Sequence, residues 1–242
     1  MSFDLSLIAP TTALDWRLLG YSLTTMADSQ LLKKDLFGEI RLEQGENSAT
    51  IVRDCAAASL WVRGLARWMM RREARVLARL ENLDGVPHIV ALGHSHLERG
   101  FLQGAPMQLA RPRDPAYFRH ALRLLRRLHA ANVAHNDLAK EPNFLVRPDG
   151  TPGILDFQLA FHAPRRGKMF RLAAREDLRH LLKHKRQYCA SSLTQRQRAI
   201  LDSPSIPSRL FARTIKPVYL FVTRKILGWQ DREGAGNRGD IQ

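Results

Sequence analysis

The stretch HNDLAKEPNFLVRPDGTPGILDF, His135–Phe157, decides how the rest of the chain is understood. Val133 and Ala134 lead into a polar loop, His135–Asn143, and Phe144, Leu145 and Val146 follow as a short apolar run. Pro148-Asp149-Gly150 is a turn, because proline presets φ and glycine tolerates a positive φ. Gly153-Ile154-Leu155 then runs into Asp156-Phe157. The pattern predicts strand, loop, strand, turn, strand. It places Asp137, Asn143 and Asp156 at strand ends on either side of a tight hairpin. Such oxygen ligands can hold Mg²⁺ and set a further carboxylate beside an attacking hydroxyl. A polar hairpin with surface carboxylates is the plainer alternative.

These residues resemble the catalytic core of the protein-kinase-like superfamily, in which an H-x-D…N loop precedes a D-F-G-like metal motif. The resemblance implies Asp137 as catalytic base, Asn143 and Asp156 as Mg²⁺ ligands, and ATP as the phosphoryl donor. Lys140, inside the loop, would stabilise the transferring phosphoryl group. Two departures stand out. Asn143 lies six residues after Asp137 instead of five, so the loop has to bulge, with Pro142 directing Glu141 towards extended geometry. Gln158 takes the place of the motif's glycine.

On the N-terminal side, LLKKDLFGEIRLEQGENSATIVRD is strand-like from Leu31, with Gln44-Gly45-Glu46-Asn47 as a turn and Thr50–Arg53 as a strand. Asp35–Ile40 resembles the end of a glycine-rich phosphate loop of which Gly38 remains, and an ordinary hairpin glycine is the alternative. Where kinases carry a lysine on the third strand, this chain has Arg53. Guanidinium is broader than ammonium, so either Arg53 holds the α/β-phosphates in its own way, or Lys33 or Lys34 substitutes, or catalysis is weak. A helix is expected over Leu65–Leu83, with Leu65, Trp68, Met69, Val76, Leu77 and Leu80 as its apolar face. Glu73 on this helix is either the partner of Arg53 or a solvated charge among arginines. His88–Gly93 and Gly100–Gly104 read as strands, the second running into a hinge at Gln103, where adenine is expected against the backbone.

The following helix has Asp114 as N-cap and Pro115 at its first position. Phe118, Leu122, Leu125 and Leu128 form its stripe, and Asn132 suits a left-handed end. His120 and His129 are ordinary residues of that helix. After Asp156, the segment Gln158–Ala173 is dense in cations and has no A-P-E signature. Asp177 is expected to open a helix, either bracing the catalytic loop or simply favouring a helix N-terminus. QRQRAIL is helical, Ser203–Ser208 is a break, and RLFARTIKPVYLFVTRKILGW is both basic and apolar. That last segment suits an anionic membrane face or packing on the larger lobe.

The chain has 242 residues, 45% of them hydrophobic, and a formal net charge of +15. Such a balance attracts polyanions without choosing among them. Cys55 and Cys189 show no metal spacing, which agrees with a reducing cytosol. The N-terminus lacks the pattern of a signal peptide, and no run approaches the roughly 18 apolar residues of a membrane span.

The expectation is therefore an α+β, bilobal protein-kinase-like fold with a small antiparallel β N-lobe and a mainly helical C-lobe. Residues 1–30 form an extension, 31–104 the N-lobe, 105–229 the C-lobe and 230–242 a flexible tail. Gly38, Arg53, Glu73 and Gln103 would bind nucleotide. By resemblance to bacterial RIO-like and lipopolysaccharide-core sugar kinases, the acceptor is a glycolipid sugar or a protein Ser/Thr hydroxyl. The expected location is cytoplasmic, with peripheral contact to an anionic membrane face as a further partner. Nucleic acid is the less favoured partner. The alternative is a pseudokinase serving as a basic binding module.

Overall fold

The computed structural model describes residues 29–45 and 48–203. The segment 1–28, the basic apolar stretch 209–229 and the tail 230–242 lie outside the described residues. Contacts divide the chain into two compact units, one ending at Ser192 and the other beginning at Leu193. In the second, α5 (Gln195–Asp202) starts with a capping box in which Thr194 and Gln197 satisfy each other's backbone amides.

The first unit is α+β. Its N-terminal part is a five-stranded antiparallel sheet in the order β1-β2-β3-β5-β4. The strands are β1 (Ser29–Asp35), β2 (Gly38–Gln44), β3 (Ala49–Asp54), β4 (Ile89–Leu92) and β5 (His96–Gly100). Helix α1 (Arg63–Leu77) lies between β3 and β4 in sequence. The C-terminal part is mainly helical, with α2 (Met107–Ala110), α3 (Pro115–Ala130) and α4 (Lys168–Tyr188). Small ladders join β6 (Ala105–Pro106), β8 (Phe144–Val146) and β9 (Pro152–Ile154), and β7 (Val133–Ala134) with β10 (Phe161–His162).

The predicted hairpin is β8–β9, with Phe144 opposite Ile154. Helix α3 begins as its sequence demands: Asp114 accepts a hydrogen bond from the Ala116 amide at 2.7 Å, with Pro115 at the first position. Asn132 ends the helix region at φ 57°, the left-handed conformation that asparagine tolerates. Phe118, Leu125 and Leu128 join Met107, Phe144, Ile154, Phe157 and Leu181 in the main core. Tyr117 fastens α3 to β8 by donating its hydroxyl to the Leu145 carbonyl at 2.9 Å.

Four expectations are corrected. Helix α1 runs over Arg63–Leu77, not to Leu83, because Arg79, Leu80 and Leu83 donate to carbonyls three residues back and tighten the chain. Its buried residues are Ala66, Met70, Glu73, Ala74, Val76 and Leu77, so Val76 and Leu77 are buried as expected while Leu65 and Trp68 are exposed. The helix is rotated relative to the expected stripe, and Glu73 faces inward. The strand expected at Gly100–Gly104 is instead β5, His96–Gly100, followed by a connector without regular structure. Asp177 does not open a helix: α4 starts nine residues earlier at Lys168, since Phe170, Asp177, Leu181 and His184 share one buried face and leave Arg171 and Arg175 outside.

Helix α1 belongs to two cores at once. Ala66, Met70 and Ala74 pack with Cys55, Val62 and Leu97 beneath the sheet. Val76 and Leu77 pack in the main core with Leu125 and Phe157.

Gly38 closes a two-residue turn, Leu36-Phe37, opposite Asp35. Its φ is 122°, and a Cβ there would stand 2.0 Å from the Asp54 carbonyl oxygen. Close approach of β3 thus explains this glycine without any ligand. Gly38→Ala is expected to cost about 1–3 kcal/mol and lower the thermal midpoint by several degrees, as calorimetry would record.

Candidate functional site

The loop after β7 is held by α4 along its length. Asp177 is buried and accepts from two consecutive backbone amides, His135 (Oδ2, 2.8 Å) and Asn136 (Oδ1, 2.8 Å). Asn136 sits at φ 64°, which lets both amides converge on one carboxylate. His129 of α3 reaches the same Oδ2 at 3.2 Å, so its role is structural. Two turns further along α4, His184 donates Nε2–H to the Leu138 carbonyl at 2.9 Å. At the helix end Gln187 donates to Glu141 Oε1 at 3.0 Å, and the Tyr188 hydroxyl donates to Glu141 Oε2.

These last contacts account for the extra residue in the loop. Glu141 was expected to be extended before Pro142. Instead Glu141–Asn143 form a 3₁₀ turn, and Lys140, one residue earlier, is extended. Anchoring of the Glu141 carboxylate to α4 overrides the local preference. Burial, and then this hydrogen bond, push the Tyr188 phenol up to about 12.

Asp137, Lys140 and Asn143 are brought together. Lys140 Nζ lies 3.0 Å from Asp137 Oδ2 and remains largely exposed. Asn143 donates Nδ2 to the Asp137 carbonyl at 2.8 Å and to Asp137 Oδ2 at 3.2 Å. Both amide protons being directed at Asp137, the Asn143 Oδ1 is the atom left to act as a ligand. The Leu155 amide donates to the Asn143 carbonyl at 2.9 Å, so Asp156 follows directly on the paired position. Asp156 has φ 60° and ψ 72°, a left-handed conformation that costs energy for a residue with a side chain. Its carboxylate caps the short turn Phe157–Leu159.

His135 is a positioning residue. Its Nε2–H donates to the Leu155 carbonyl at 2.8 Å, and its ring packs edge-on against Phe157, which ties the loop to the residues flanking Asp156. Burial holds its pKa below the ordinary value, with Asp177 and the Leu155 bond opposing the shift.

The second group of expected residues surrounds Glu73, which is fully buried. Arg53 faces it at 3.8 Å between Nε and Oε2, without a hydrogen bond. The close partner is Arg99 of β5, whose Nη1 donates to Glu73 Oε1. Arg99 carries no motif. Its signal is alternation: Leu97 and Arg99 are the inward positions of HLERG, and an inward arginine calls for a carboxylate. Two guanidinium groups thus share one carboxylate, and Arg53 Nε, Arg99 Nε and Glu73 Oε2 are buried without a hydrogen bond. Lys33 and Lys34 are exposed and pair on their own hairpin with Asp35 and Glu39.

Gly38 lies beside Asp54, the residue after Arg53. Gln103 is exposed in the connector between β5 and β6. Arg72 of α1 donates to the carbonyls of Ala160 (2.9 Å) and Leu159 (3.0 Å), joining the Glu73 helix to the segment after Asp156.

Removing one member of a buried ion pair leaves a charge without compensation. Arg99→Leu and Glu73→Leu are each expected to cost about 3–5 kcal/mol, and the double variant less than their sum by about 1–3 kcal/mol, by urea unfolding. The buried histidines give a pH signature. Burial depresses the pKa of His135, His180 and His184 below the ordinary 6.5. The unfolded chain therefore binds protons first, and stability present above pH 6.5 is lost as pH falls below it. His184→Gln should flatten the acid limb of a plot of melting temperature against pH.

No protein-family model matches the chain, and no curated protein matches it. Among solved structures, the Rio2 kinase from Chaetomium thermophilum superposes with a TM-score of 0.54 at 13% identity, over 85% of this chain and 73% of that one. At that identity the likeness is one of architecture: the antiparallel sheet followed by helices is a protein-kinase-like fold.

Proposed function

We propose that the chain is an ATP- and Mg²⁺-dependent phosphotransferase acting on an acceptor hydroxyl. The observation that carries this is the convergence of Asp137, Lys140, Asn143 and Asp156 at one end of the β8–β9 hairpin, on a loop gripped by α4. A carboxylate and an amide oxygen are hard donors suited to Mg²⁺. Once bound by Asp156 and Asn143, the ion would supply charge neutralisation on the nucleotide phosphates.

Asp137 orients the acceptor hydroxyl and takes its proton as the oxygen attacks the γ-phosphorus. The bond to the bridging oxygen breaks, and ADP leaves. Lys140 sets an ammonium group beside the transferring phosphoryl. The two arginines around Glu73 leave one excess positive charge in a buried site where neither Nε makes a hydrogen bond, which favours an anion, and Arg53 would meet the α/β-phosphates there. Residues 31–104 serve the nucleotide and 105–229 the acceptor, with the connector at Gln103 bordering adenine.

The acceptor favoured is a sugar of a lipopolysaccharide-core-type glycolipid. Exposed Arg165, Lys168, Arg171 and Arg175, close after Asp156 in sequence, suit a substrate carrying anionic groups. A protein Ser/Thr hydroxyl is the rival. The second reading, a pseudokinase that binds anionic partners, is favoured by Arg53 standing where a lysine is expected and by Arg99 occupying Glu73. Among the described residues no helix is long and apolar enough to cross a membrane.

Thermal unfolding with and without Mg-ATP tests the proposal. A ligand at 100-fold over its Kd stabilises the folded state by about 2.7 kcal/mol. The wild type is expected to shift by several degrees, Asp156→Ala to lose the shift, and Asp137→Ala to keep it while losing phosphoryl transfer. No shift in the wild type at millimolar Mg-ATP would favour the pseudokinase.

A further inference from the structure

Helix α1 turns an unusual face to solvent. Its sequence holds Arg63, Arg67, Arg71, Arg72 and Arg75, and Glu73 is its one acidic residue. That carboxylate is buried against Arg99 and offers nothing to the surface. Beside the exposed arginines stand large apolar side chains: Leu60 is 81% exposed, Trp61 68%, Leu65 50% and Trp68 51%. Leu65 and Trp68 lie three residues apart on the helix, and Leu60 and Trp61 project from the turn that leads into it. The Arg72 guanidinium lies over the Trp68 ring, 5.5 Å from its centre.

We propose that this face of α1, with its leading turn, docks on the surface of an anionic lipid bilayer. Tryptophan and leucine that stand out from a surface gain by entering the interfacial region, and indole in particular favours that depth. Arginine stems lie along apolar surface while their heads meet phosphate. A face with cations and no exposed carboxylate complements anionic headgroups, and the net charge of +15 adds long-range attraction. A bilayer accepts separate protruding side chains without a matching groove, which a folded protein partner would need. The opposite side of α1 is packed into two cores, so the helix already exists before contact and pays no ordering cost. The docking surface goes beyond the phosphotransfer proposal and is read without nucleotide or acceptor.

The experiment uses the full chain with two sets of vesicles, one of equal parts phosphatidylglycerol and phosphatidylcholine, the other of phosphatidylcholine alone. Co-sedimentation is measured at low and high salt for the wild type, for Trp61→Ser with Trp68→Ser, and for Arg71→Gln with Arg75→Gln. All four positions are exposed or on the outer face, and unchanged melting temperatures verify folding. Wild type is expected on the anionic vesicles only, releasing as salt rises. Each variant pair should weaken partitioning about tenfold or more, and the tryptophan pair should lose the blue shift of emission on vesicle addition. Failure of the wild type to bind anionic vesicles overturns the proposal. Full binding by the tryptophan pair also overturns it, since contact would then lie in another part of the chain such as 209–229. A tryptophan pair that changes the oligomeric state by sedimentation and leaves vesicle binding intact would assign the face to contact between copies instead.

Discussion

The carboxylate of Asp177 is the point on which the site depends. One side chain in the middle of a helix accepts from two successive backbone amides at the start of the loop after β7. Left without that acceptor, each buried amide would cost about 1–3 kcal/mol. The buried start of the loop, at His135, is satisfied because α4 delivers a carboxylate to it. The same helix then meets the loop again at Leu138 through His184 and at Glu141 through Gln187 and Tyr188. Spacings of seven, and of three and four, keep all these residues on one face. Asp137 and Asn143 thus inherit their positions from a regular helix.

Glu73 poses the opposite problem, since it is a charge with no backbone to serve. Burying it would be prohibitive unless matched, and β5 supplies the match through Arg99. Arg53 remains close without being consumed by the pair. Two arginines from neighbouring strands therefore face one carboxylate, one in hydrogen-bond contact and one at 3.8 Å. Arg99 ties α1 to β5 by a direct hydrogen bond, while Arg53 on β3 adds a longer ion pair to the same carboxylate.

What could be read in the sequence was local. The β8–β9 hairpin follows from Pro148-Asp149-Gly150 and its flanking apolar runs, and α3 from Asp114, Pro115 and Asn132, because turn and cap chemistry acts within a few residues. The grouping of Asp137, Asn143 and Asp156 came with the hairpin. The rotation of α1 was not legible, since the partner that draws Glu73 inward is 26 residues away on another strand. Nor was the start of α4, where a dense run of cations looks like a loop until Phe170 and Asp177 are known to share its inner face. The turn at Glu141–Asn143 was not legible either, because it goes with a carboxylate contact to Gln187 and Tyr188 that no neighbouring residue announces.

Helix α1 is built into both hydrophobic clusters, and Arg72 ties it to the carbonyls following Asp156. To swing outward as a rigid rod it would have to open the main core at Val76 and Leu77 and surrender those hydrogen bonds together. Movement of this helix is thus coupled to both clusters and to the segment beyond Asp156 at once, so that a shift at any one of them is felt at the other two.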